Sequence, residues 1–347
     1  MKKVIDKFDF KGKIKSVKEN KTGLINSTFI VSTCNFKYVL QKINTSIFKK
    51  PFELMENIEL TADFLKVLGQ VSLELVKSKD GDSFIEYNSG YWRAFKYIDS
   101  TTYLKADSIF IVSESAKCLG NFHLHLNQFP IEKLNISIPN FHNTSFILND
   151  FKVMLEVADN SVLTRCDAEI DYILSKEDDC KIIQNLISQN KIPLRVCHND
   201  PKISNFLFDN ENNAICLIDL DTVMPGTVLF DIADAIRTSC VSESEEESDL
   251  NKVFFKFDYF EEFIKSYLNK NGDNLNKYEL QNIVKSIEII FLEQGIRFLS
   301  DYLSFNKYYE VTYPEQNLVR AKNQLHLARQ IELNVFSLEN ILLKYIR

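Results

Sequence analysis

The middle of the chain carries three side chains whose types and spacing suit phosphoryl transfer. Residues 198–205 read HNDPKISN, an H-x-D-x-x-x-x-N pattern with Asp200 and Asn205, and Asp219 follows the apolar run 215–218. Phosphoryl transfer asks a protein mainly for positioning, with one carboxylate to orient the acceptor hydroxyl and take its proton. Mg²⁺ needs oxygen ligands, which a second carboxylate and an amide supply. The pattern predicts Asp200 as the base and Asn205 and Asp219 as metal ligands.

Short apolar runs around these residues predict the strands that would bring them together. The runs 194–197, 206–208 and 215–218 each have the length of a buried strand. A cluster of Asp and Asn at 209–213 suits the turn between the second and third runs. Asp and Asn are also ordinary turn residues, so the capping of turns is the competing interpretation. Protein kinases have the same Asp-to-Asn spacing in their catalytic loop, which favours the catalytic interpretation.

The first hundred residues favour strands and the rest of the chain favours helices. Pro51 is predicted to begin a helix with a buried stripe that starts at Phe52. Apolar residues at helical spacing follow residue 99, as in 108–126 and 283–303. The pattern predicts an α+β fold with a boundary after residue 98. Five runs rich in β-branched and aromatic residues predict the strands of the first part: 29–32, 36–40, 38–44, 83–87 and 91–98.

Composition restricts the classes of partner. The net charge of −7 over 347 residues and a pI of about 5.4 argue against a nucleic-acid partner. The seven cysteines form no C-x-x-C pair, so we expect reduced thiols and no zinc site. Residues 1–15 hold no apolar signal segment, and no run approaches the roughly 20 apolar residues of a membrane span. We expect a soluble cytoplasmic protein, monomeric or weakly homo-oligomeric, with no membrane partner.

The motif at 198–205 and the sequence CLIDLDTVMPGTVLFDIADAIR at 216–237 resemble the aminoglycoside-phosphotransferase-like (APH/choline kinase) family. Within it they are most similar to the N-acetylhexosamine 1-kinases. Pro201 stands where these relatives usually have Thr, and Ser204 where they have Asn. The similarity extends over about residues 23–327.

The resemblance implies a protein-kinase-like bilobal α+β fold. A small N-terminal antiparallel β lobe, residues 1–98, would lie over a larger, mainly helical C-terminal lobe, residues 99–347. The implied cofactors are ATP and Mg²⁺. In kinase-like folds the loop at Gly23 covers the ATP phosphates, and a hinge after the last strand of the first lobe pairs with adenine. The implied nucleotide contacts are Gly23, Ile25, Asn26, Gln41 and Tyr97.

Two residues late in the chain are the implied contacts of the acceptor beside Asp200. They are Arg297, within the apolar run 283–303, and Tyr308. Arg297 has a structural alternative, an ion pair with Glu293 at i−4. Leu24 replaces a His that contacts the sugar in many relatives, so the exact acceptor is left open.

Support of the catalytic loop is the role expected for His198 and Asp231, with capping of the next helix as the alternative for Asp231. His142, in the segment IPNFHNT, receives no chemical role from the sequence. The acidic run 243–249 is predicted to be a solvated loop, because it would repel ATP.

The implied activity is ATP-dependent phosphorylation of the anomeric hydroxyl of an N-acetylhexosamine (GlcNAc or GalNAc) to the 1-phosphate. Kinases for choline, for an aminoglycoside or for methylthioribose are alternatives within the same chemistry. A nucleotide-binding pseudokinase is the alternative from another class. Asp200, Asn205 and Asp219 are intact and argue against it, whereas Leu24 and Gln41 leave room for it.

Overall fold

A five-stranded antiparallel sheet makes up most of the N-terminal part of the chain. The computed structural model describes residues 1–20 and 25–346. The central strand of the sheet pairs Gln41 with Thr28 on one side and with Arg93 on the other. In the order β1-β2-β3-β5-β4, the sheet consists of β1 (Ile14–Asn20), β2 (Ser27–Thr33), β3 (Lys37–Ile43), β4 (Phe84–Tyr87) and β5 (Gly90–Lys96).

Two features of this sheet differ from the prediction. Strand β1 is not predicted, because its sequence IKSVKEN mixes charged and apolar residues without the alternation of a half-buried strand. The runs 36–40 and 38–44, expected as two strands, form the single strand β3. The expected turn between β4 and β5 is present: Asn88 and Ser89 have φ of 48° and 55°, as a type I′ hairpin requires.

Helices dominate the chain after the sheet. Pro51 begins α2, which lies between β3 and β4, and Ser108 caps α3, the first helix after the sheet, by accepting the N–H of Ile111. Phe52, expected in the buried stripe of α2, is 62% exposed. The helices are α1 (Lys2–Ile5), α2 (Pro51–Val67), α3 (Ile109–Leu126), α4 (Thr144–Val157), α5 (Asn160–Leu163), α6 (Asp167–Ser175), α7 (Ile182–Ser188), α8 (Val228–Ser239), α9 (Phe257–Asn271), α10 (Lys277–Leu303), α11 (Gln316–Leu333) and α12 (Val335–Leu343).

Two short strand pairs carry the segment that the sequence predicts to be catalytic. Strand β6 (Arg195–Cys197) pairs with β9 (Met224–Gly226), and β7 (Phe206–Phe208) pairs with β8 (Ala214–Leu217), both antiparallel. The catalytic loop, residues 198–205, connects β6 to β7. The DLD loop, residues 219–223, connects β8 to β9. The three predicted strands are present, whereas β9 is missed because its Pro-Gly sequence is typical of a chain break.

The largest apolar core joins the sheet to the helices. It contains Ile43 and Phe95 of the sheet, Ile58 of α2, and buried residues of α3, α8, α9 and α10. A smaller cluster around Val31 and Leu40 fills the space between the sheet and α1. Within residues 1–20 and 25–346, no helix is long and apolar enough to cross a membrane. A β-rich first part and a helical remainder are the α+β arrangement that the sequence predicts, and the lobe boundary after residue 98 stays a prediction.

Candidate active site

One buried carboxylate fixes the start of the catalytic loop. Asp231, in the first turn of α8, is fully buried. Its oxygens accept the backbone N–H groups of His198 and Asn199, each at 2.7 Å, and Nε2 of His123 lies 2.8 Å away. Burial alone would raise the pKa of Asp231, but the hydrogen bond and charge of His123 and the loop N–H lower it. Asp231 therefore stays charged and braces the loop.

His198 connects the catalytic loop to the DLD loop. Its Nε2 donates to the carbonyl of Ile218 at 2.8 Å, and its Nδ1 accepts the N–H of Asp200 at 3.3 Å. The carbonyl of His198 accepts the hydroxyl of Thr222 at 2.7 Å. One ring nitrogen donates and the other accepts, so the neutral ring satisfies both contacts. The ring is fully buried, and it ties the base to the end of β8.

Asn199 links the same two loops through its side chain. Its φ is 63°, a left-handed conformation that Asn tolerates better than most residues. Its Nδ2 donates to the carbonyls of Thr222 at 2.9 Å and Met224 at 3.3 Å. A Cβ on Gly226 would lie 2.5 Å from Asn199 Oδ1. Glycine at 226 therefore makes room for the side chain that positions the loop.

Asp200 and Lys202 form an ion pair at the centre of the catalytic loop. Lys202 Nζ lies 2.7 Å from Asp200 Oδ2. Asn205 Nδ2 donates to the carbonyl of Asp200 at 2.8 Å and lies 3.3 Å from Oδ2. Burial alone would lower the pKa of Lys202, but Asp200 and Asp219 raise it. The structure thus brings together the predicted base Asp200, the predicted metal ligand Asn205 and the side chain of Lys202, which the sequence did not single out.

The Asp219 carboxylate makes no hydrogen bond or ion pair with any described residue. The residue is left-handed, with φ of 63° and ψ of 51°, at the point where β8 ends. Burial and the nearby Asp221 raise the pKa of Asp219 to about 6. A partly buried acid without its own cation fits a divalent metal ion, since Mg²⁺ is usually held by one or two carboxylates and by phosphate oxygens. The backbone carbonyl of Asn205 accepts the N–H of Ile218 at 2.9 Å, which brings the predicted amide ligand beside the end of β8.

Asp221, two residues later, is already neutralised by the protein. Arg93 Nη1 of β5 lies 2.5 Å from Asp221 Oδ1, an ion pair without normal hydrogen-bond geometry, and both side chains are buried. Asn26 Nδ2 donates to Asp221 Oδ2 at 2.6 Å. Arg93 also donates from Nε to Gln41 Oε1 at 3.0 Å. Two residues predicted to contact the nucleotide, Asn26 and Gln41, therefore lie in a network that holds the DLD loop.

The other predicted nucleotide contacts are Gly23, Ile25 and Tyr97. Gly23 lies outside the described residues. Ile25 is exposed, and its carbonyl accepts Nδ2 of Asn44 at 3.3 Å. The N–H of Tyr97 donates to the carbonyl of Lys37 at 3.1 Å, at the end of the sheet. Contact of these residues with a nucleotide stays a prediction.

Tyr308 follows α10 and is within electrostatic reach of Asp200, and Arg297 of α10 is within reach of Tyr308. Arg297 Nε donates to Glu293 Oε1 at 3.2 Å, and Nη2 donates to the carbonyl of Phe141. The structural alternative for Arg297 is thus present, and contact with an acceptor stays a prediction. The pKa of the half-exposed Tyr308 is raised, mainly by burial and also by the charge of Asp200, and the charge of Arg297 acts in the opposite direction. The phenol therefore lies within electrostatic reach of both the base and the arginine.

Lys202, Arg93 and Asp221 are site residues that the sequence reasoning missed. Lys202 had a usable signal, because it is a cation two residues after the predicted base. Arg93 had none, because its partner Asp221 lies far along the chain.

The acidic run 243–249, predicted to be solvated, is held against the helical part by cations. Arg237 lies 3.3 Å from Glu245, and Arg320 Nε lies 2.7 Å from Glu246.

A β-rich lobe, a helical lobe and an Asp-to-Asn loop beside an unpaired acid at the end of a strand define the protein-kinase-like class of phosphotransferase folds. The model of the phosphotransferase enzyme family, APH, matches residues 16–260, most of the chain. The chain belongs to that family.

Solved structures share this fold over almost the whole chain. An aminoglycoside phosphotransferase from Alicyclobacillus acidocaldarius has a TM-score of 0.64 and 14% identity, covering 99% of this chain and 96% of its own. The spectinomycin phosphotransferase APH(9)-Ia, in complex with ADP and spectinomycin, has a TM-score of 0.62 and 14% identity, covering 95% of each chain. The predicted family and the predicted bilobal fold are confirmed.

One curated relative is similar over a shorter range. Probable choline kinase 3 of Arabidopsis thaliana is 25% identical over 117 residues, which are 32% of this chain and 33% of that protein. The match thus spans about a third of the curated relative.

Proposed function

We propose that the chain is an ATP-dependent kinase that phosphorylates the anomeric hydroxyl of an N-acetylhexosamine to give the 1-phosphate. The observation that carries the proposal is the assembly of Asp200, Lys202, Asn205 and Asp219 around two adjoining loops. Membership of a phosphotransferase family supports the reaction class. The complex of a similarly folded phosphotransferase with ADP supports an adenine nucleotide as the phosphoryl donor.

Asp200 supplies the proton acceptor. Its Oδ2 is held by Lys202, whereas Oδ1 accepts no hydrogen bond from the described residues. Oδ1 orients the acceptor hydroxyl and takes its proton while the hydroxyl oxygen bonds to the γ-phosphorus of ATP. The bond from that phosphorus to the β,γ-bridging oxygen breaks, and ADP leaves. Lys202 lies beside the base, so its charge offsets negative charge on the phosphoryl oxygens.

Asp219 and Asn205 are the residues that would hold magnesium. The free Asp219 carboxylate supplies the anionic ligand, and the Asn205 amide supplies a neutral oxygen. When bound, the ion neutralises charge on the oxygens of the transferring phosphoryl group. Asp221 is occupied by Arg93 and Asn26, so it serves to position the loop.

The acceptor proposal rests on the groups near the base. Arg297 presents a planar fork of donors and Tyr308 a hydroxyl, and both suit the hydroxyl and carbonyl oxygens of a neutral sugar. A cationic acceptor would instead favour carboxylates or aromatic faces around the base.

A kinase for choline, for an aminoglycoside or for methylthioribose is the second candidate. The choline kinase match favours a cationic alcohol, and the positive charge of Arg297 near the acceptor side opposes it. A pseudokinase is opposed by the complete set of Asp200, Asn205 and Asp219.

A panel of acceptors with MgATP, followed by ADP release, tests the proposal. The panel holds N-acetylglucosamine, N-acetylgalactosamine, choline, spectinomycin and methylthioribose, and the Asp200→Asn variant is the blank. We expect ADP release above the blank with an N-acetylhexosamine. Turnover of choline alone, with none of either N-acetylhexosamine, would overturn the sugar and retain the kinase. ADP release equal to the blank throughout would overturn the kinase.

A further inference from the structure

His142 lies between the catalytic loop and α10. It belongs to the segment before α4, and its side chain is 8% exposed. The ring stacks on Phe230 of α8, with centroids 5.0 Å apart and an interplanar angle of 19°. Its carbonyl accepts Nε2 of Gln184 in α7 at 2.9 Å. The imidazole is therefore held both at its face and at its backbone.

Both ring nitrogens of His142 face hydrogen-bond acceptors. Nδ1 lies 2.8 Å from Glu293 Oε1, and Nε2 lies 2.8 Å from the carbonyl oxygen of Asn199. Neither a carboxylate nor a carbonyl can donate a proton. A neutral imidazole has only one N–H, so its other nitrogen would place a lone pair against the lone pair of one of these oxygens. The geometry therefore requires an imidazolium that donates twice. Burial disfavours the charged ring, but Glu293 outweighs burial and raises the pKa of His142.

One of these two contacts acts on the peptide that precedes the base. The Asn199 carbonyl belongs to the peptide bond that leads into Asp200. His142 is the only described partner of that oxygen. The N–H of Asn199 is fixed by Asp231, and its side chain is fixed by the DLD loop. The His142 contact completes the set by orienting the Asn199–Asp200 peptide.

The other contact leads to the arginine proposed for the acceptor. Glu293 is fully buried and shares Oε1 between His142 and Arg297, while its Oε2 accepts the hydroxyl of Thr144 at 2.6 Å. The guanidinium of Arg297 lies over the ring of Phe141, 5.1 Å from its centroid. Phe141 directly precedes His142, so one short segment contacts both the arginine and the catalytic loop.

We propose that His142, as an imidazolium, is a positioning residue that aligns the peptide before Asp200 and couples it to the acceptor arginine, Arg297. This role deepens the proposed kinase function and rests on it. The charged groups that face the ring are Glu293 and Arg297 of α10. The catalytic loop presents an uncharged carbonyl, α8 presents Phe230, and Thr144 adds only a hydroxyl to Glu293. Among residues 1–20 and 25–346, Glu293 thus carries the only negative charge in contact with the imidazolium.

Variants of His142 test the alignment. His142→Ala removes both donors and is expected to lower kcat about 10²-fold, since small misplacements of catalytic groups have effects of this size. His142→Gln keeps one neutral donor and is expected to recover part of kcat. Affinity for MgADP should stay unchanged in both, because no described nucleotide element contacts His142. His125→Ala, on α3, is the matched control, because this partly buried side chain makes no hydrogen bond, ion pair or ring contact among the described residues.

The pH dependence separates alignment from simple packing. In the wild type, kcat is expected to fall as pH rises through the raised pKa of His142. That alkaline fall should be absent in His142→Gln, whose side chain does not titrate. Unchanged kcat and an unchanged profile would overturn the proposal. A matched loss of MgADP affinity and melting temperature in both variants would also overturn it, because the role would then be structural.

A measurement without an acceptor keeps this test independent of the proposed sugar. Imidazole ¹⁵N NMR of the full-length wild type is expected to show both ring N–H protons of His142 at pH 7.5, assigned with His142→Gln. A ring with one proton would overturn the imidazolium whatever the enzyme phosphorylates. If N-acetylhexosamines are not acceptors, the kinetic variants are compared with the acceptor that the panel identifies.

Discussion

The two oxygens of the carboxylate of Asp200, the proposed base, have different surroundings. Oδ2 is 2.7 Å from Lys202 Nζ and is approached by the Asn205 amide, whereas Oδ1 is free of described hydrogen bonds. The ion pair with Lys202 holds the carboxylate in one orientation, so the direction of the Oδ1 lone pairs is fixed. A base that is held in this way meets the acceptor proton without first reorganising.

Replacing the base by its amide separates proton transfer from shape. Asp200→Asn keeps the size of the side chain and is expected to lower kcat by about 10²–10⁴-fold, the usual contribution of general-base catalysis. The melting temperature should change little, because the backbone N–H of residue 200 still donates to His198. Initial rates and a thermal melt measure the two effects. Turnover near that of the wild type in the folded variant would rule out Asp200 as the base.

The ionised Asp219 carboxylate is expected to lower the stability of the metal-free fold and to be required for magnesium-dependent turnover. Its pKa is raised to about 6 by burial and Asp221, so its ionisation costs folding free energy that grows from about pH 4 to pH 6 and stays constant above. Asp219→Asn should therefore stabilise the metal-free protein at pH 8 by ~1–2 kcal/mol. It should also abolish magnesium-dependent turnover. Melting curves and magnesium titrations measure both, and a wild-type response to magnesium would show that Asp219 is not a ligand.

The proximity of the proposed catalytic residues could be predicted because they are close in the chain. Asp200 and Asn205 share one short loop, and Asp219 follows β8, which pairs with β7, the strand directly after that loop. The sequence alone does not show why the Asp219 carboxylate has no hydrogen-bond or ion-pair partner among the described residues, whereas the Asp221 carboxylate has two. That distinction depends on Arg93 and Asn26, which reach Asp221 from the N-terminal sheet. His142 escaped prediction for the same reason, since its partners Asn199 and Glu293 come from distant parts of the chain.

At the scale of elements, strand β5 connects the N-terminal sheet to the DLD loop. Arg93 pairs with Gln41 across the sheet and with Asp221 beyond it. Protein kinases place a lysine on the neighbouring strand β3, whereas this chain has Gln41 there and its buried cation on β5. The sequence of β5 predicts a strand, but strand periodicity carries no information about such a pairing.

Removal of the Arg93 cation should destabilise the protein through this pairing. Arg93→Met leaves the buried Asp221 charge unpaired and is expected to cost about 3–5 kcal/mol of unfolding free energy. A second change, Asp221→Asn, should recover part of that loss. The control is Lys96→Met on the same strand, which removes an exposed pair with Glu74 worth at most about 1 kcal/mol. Denaturant unfolding measures all three, and an equal effect of the two Met variants would contradict the pairing.

At the scale of the whole molecule, both lobes share one apolar core. Residues of β3, β5 and α2 pack into the same cluster as residues of α3, α8 and α10. Asn57 of α2 adds a polar connection, because its Nδ2 donates to the carbonyl of Val223 at 2.9 Å. Of the helices in this core, α2, α3 and most of α10 were predictable from their apolar periodicity. Their contacts across the lobes were not, because periodicity indicates which face is buried without indicating its partner.

This shared core predicts that the lobes unfold together. Trp92, the single tryptophan, lies in β5 and reports on the sheet, whereas far-UV circular dichroism reports mainly on the helical part. The two signals are expected to give one coincident transition in denaturant. Fluorescence and circular dichroism on the same samples measure this. A tryptophan transition that clearly precedes the loss of helix would indicate lobes that unfold separately.

The measurement that tests the central claim most directly is the identity of the phosphorylated product. The full-length protein is incubated with MgATP and N-acetylglucosamine or N-acetylgalactosamine, and ³¹P NMR follows the mixture. The account predicts a sugar phosphate whose phosphorus couples to the anomeric proton, formed together with ADP and absent with Asp200→Asn. A phosphate on another sugar oxygen, or ATP consumed to ADP and inorganic phosphate alone, would contradict the proposed 1-kinase.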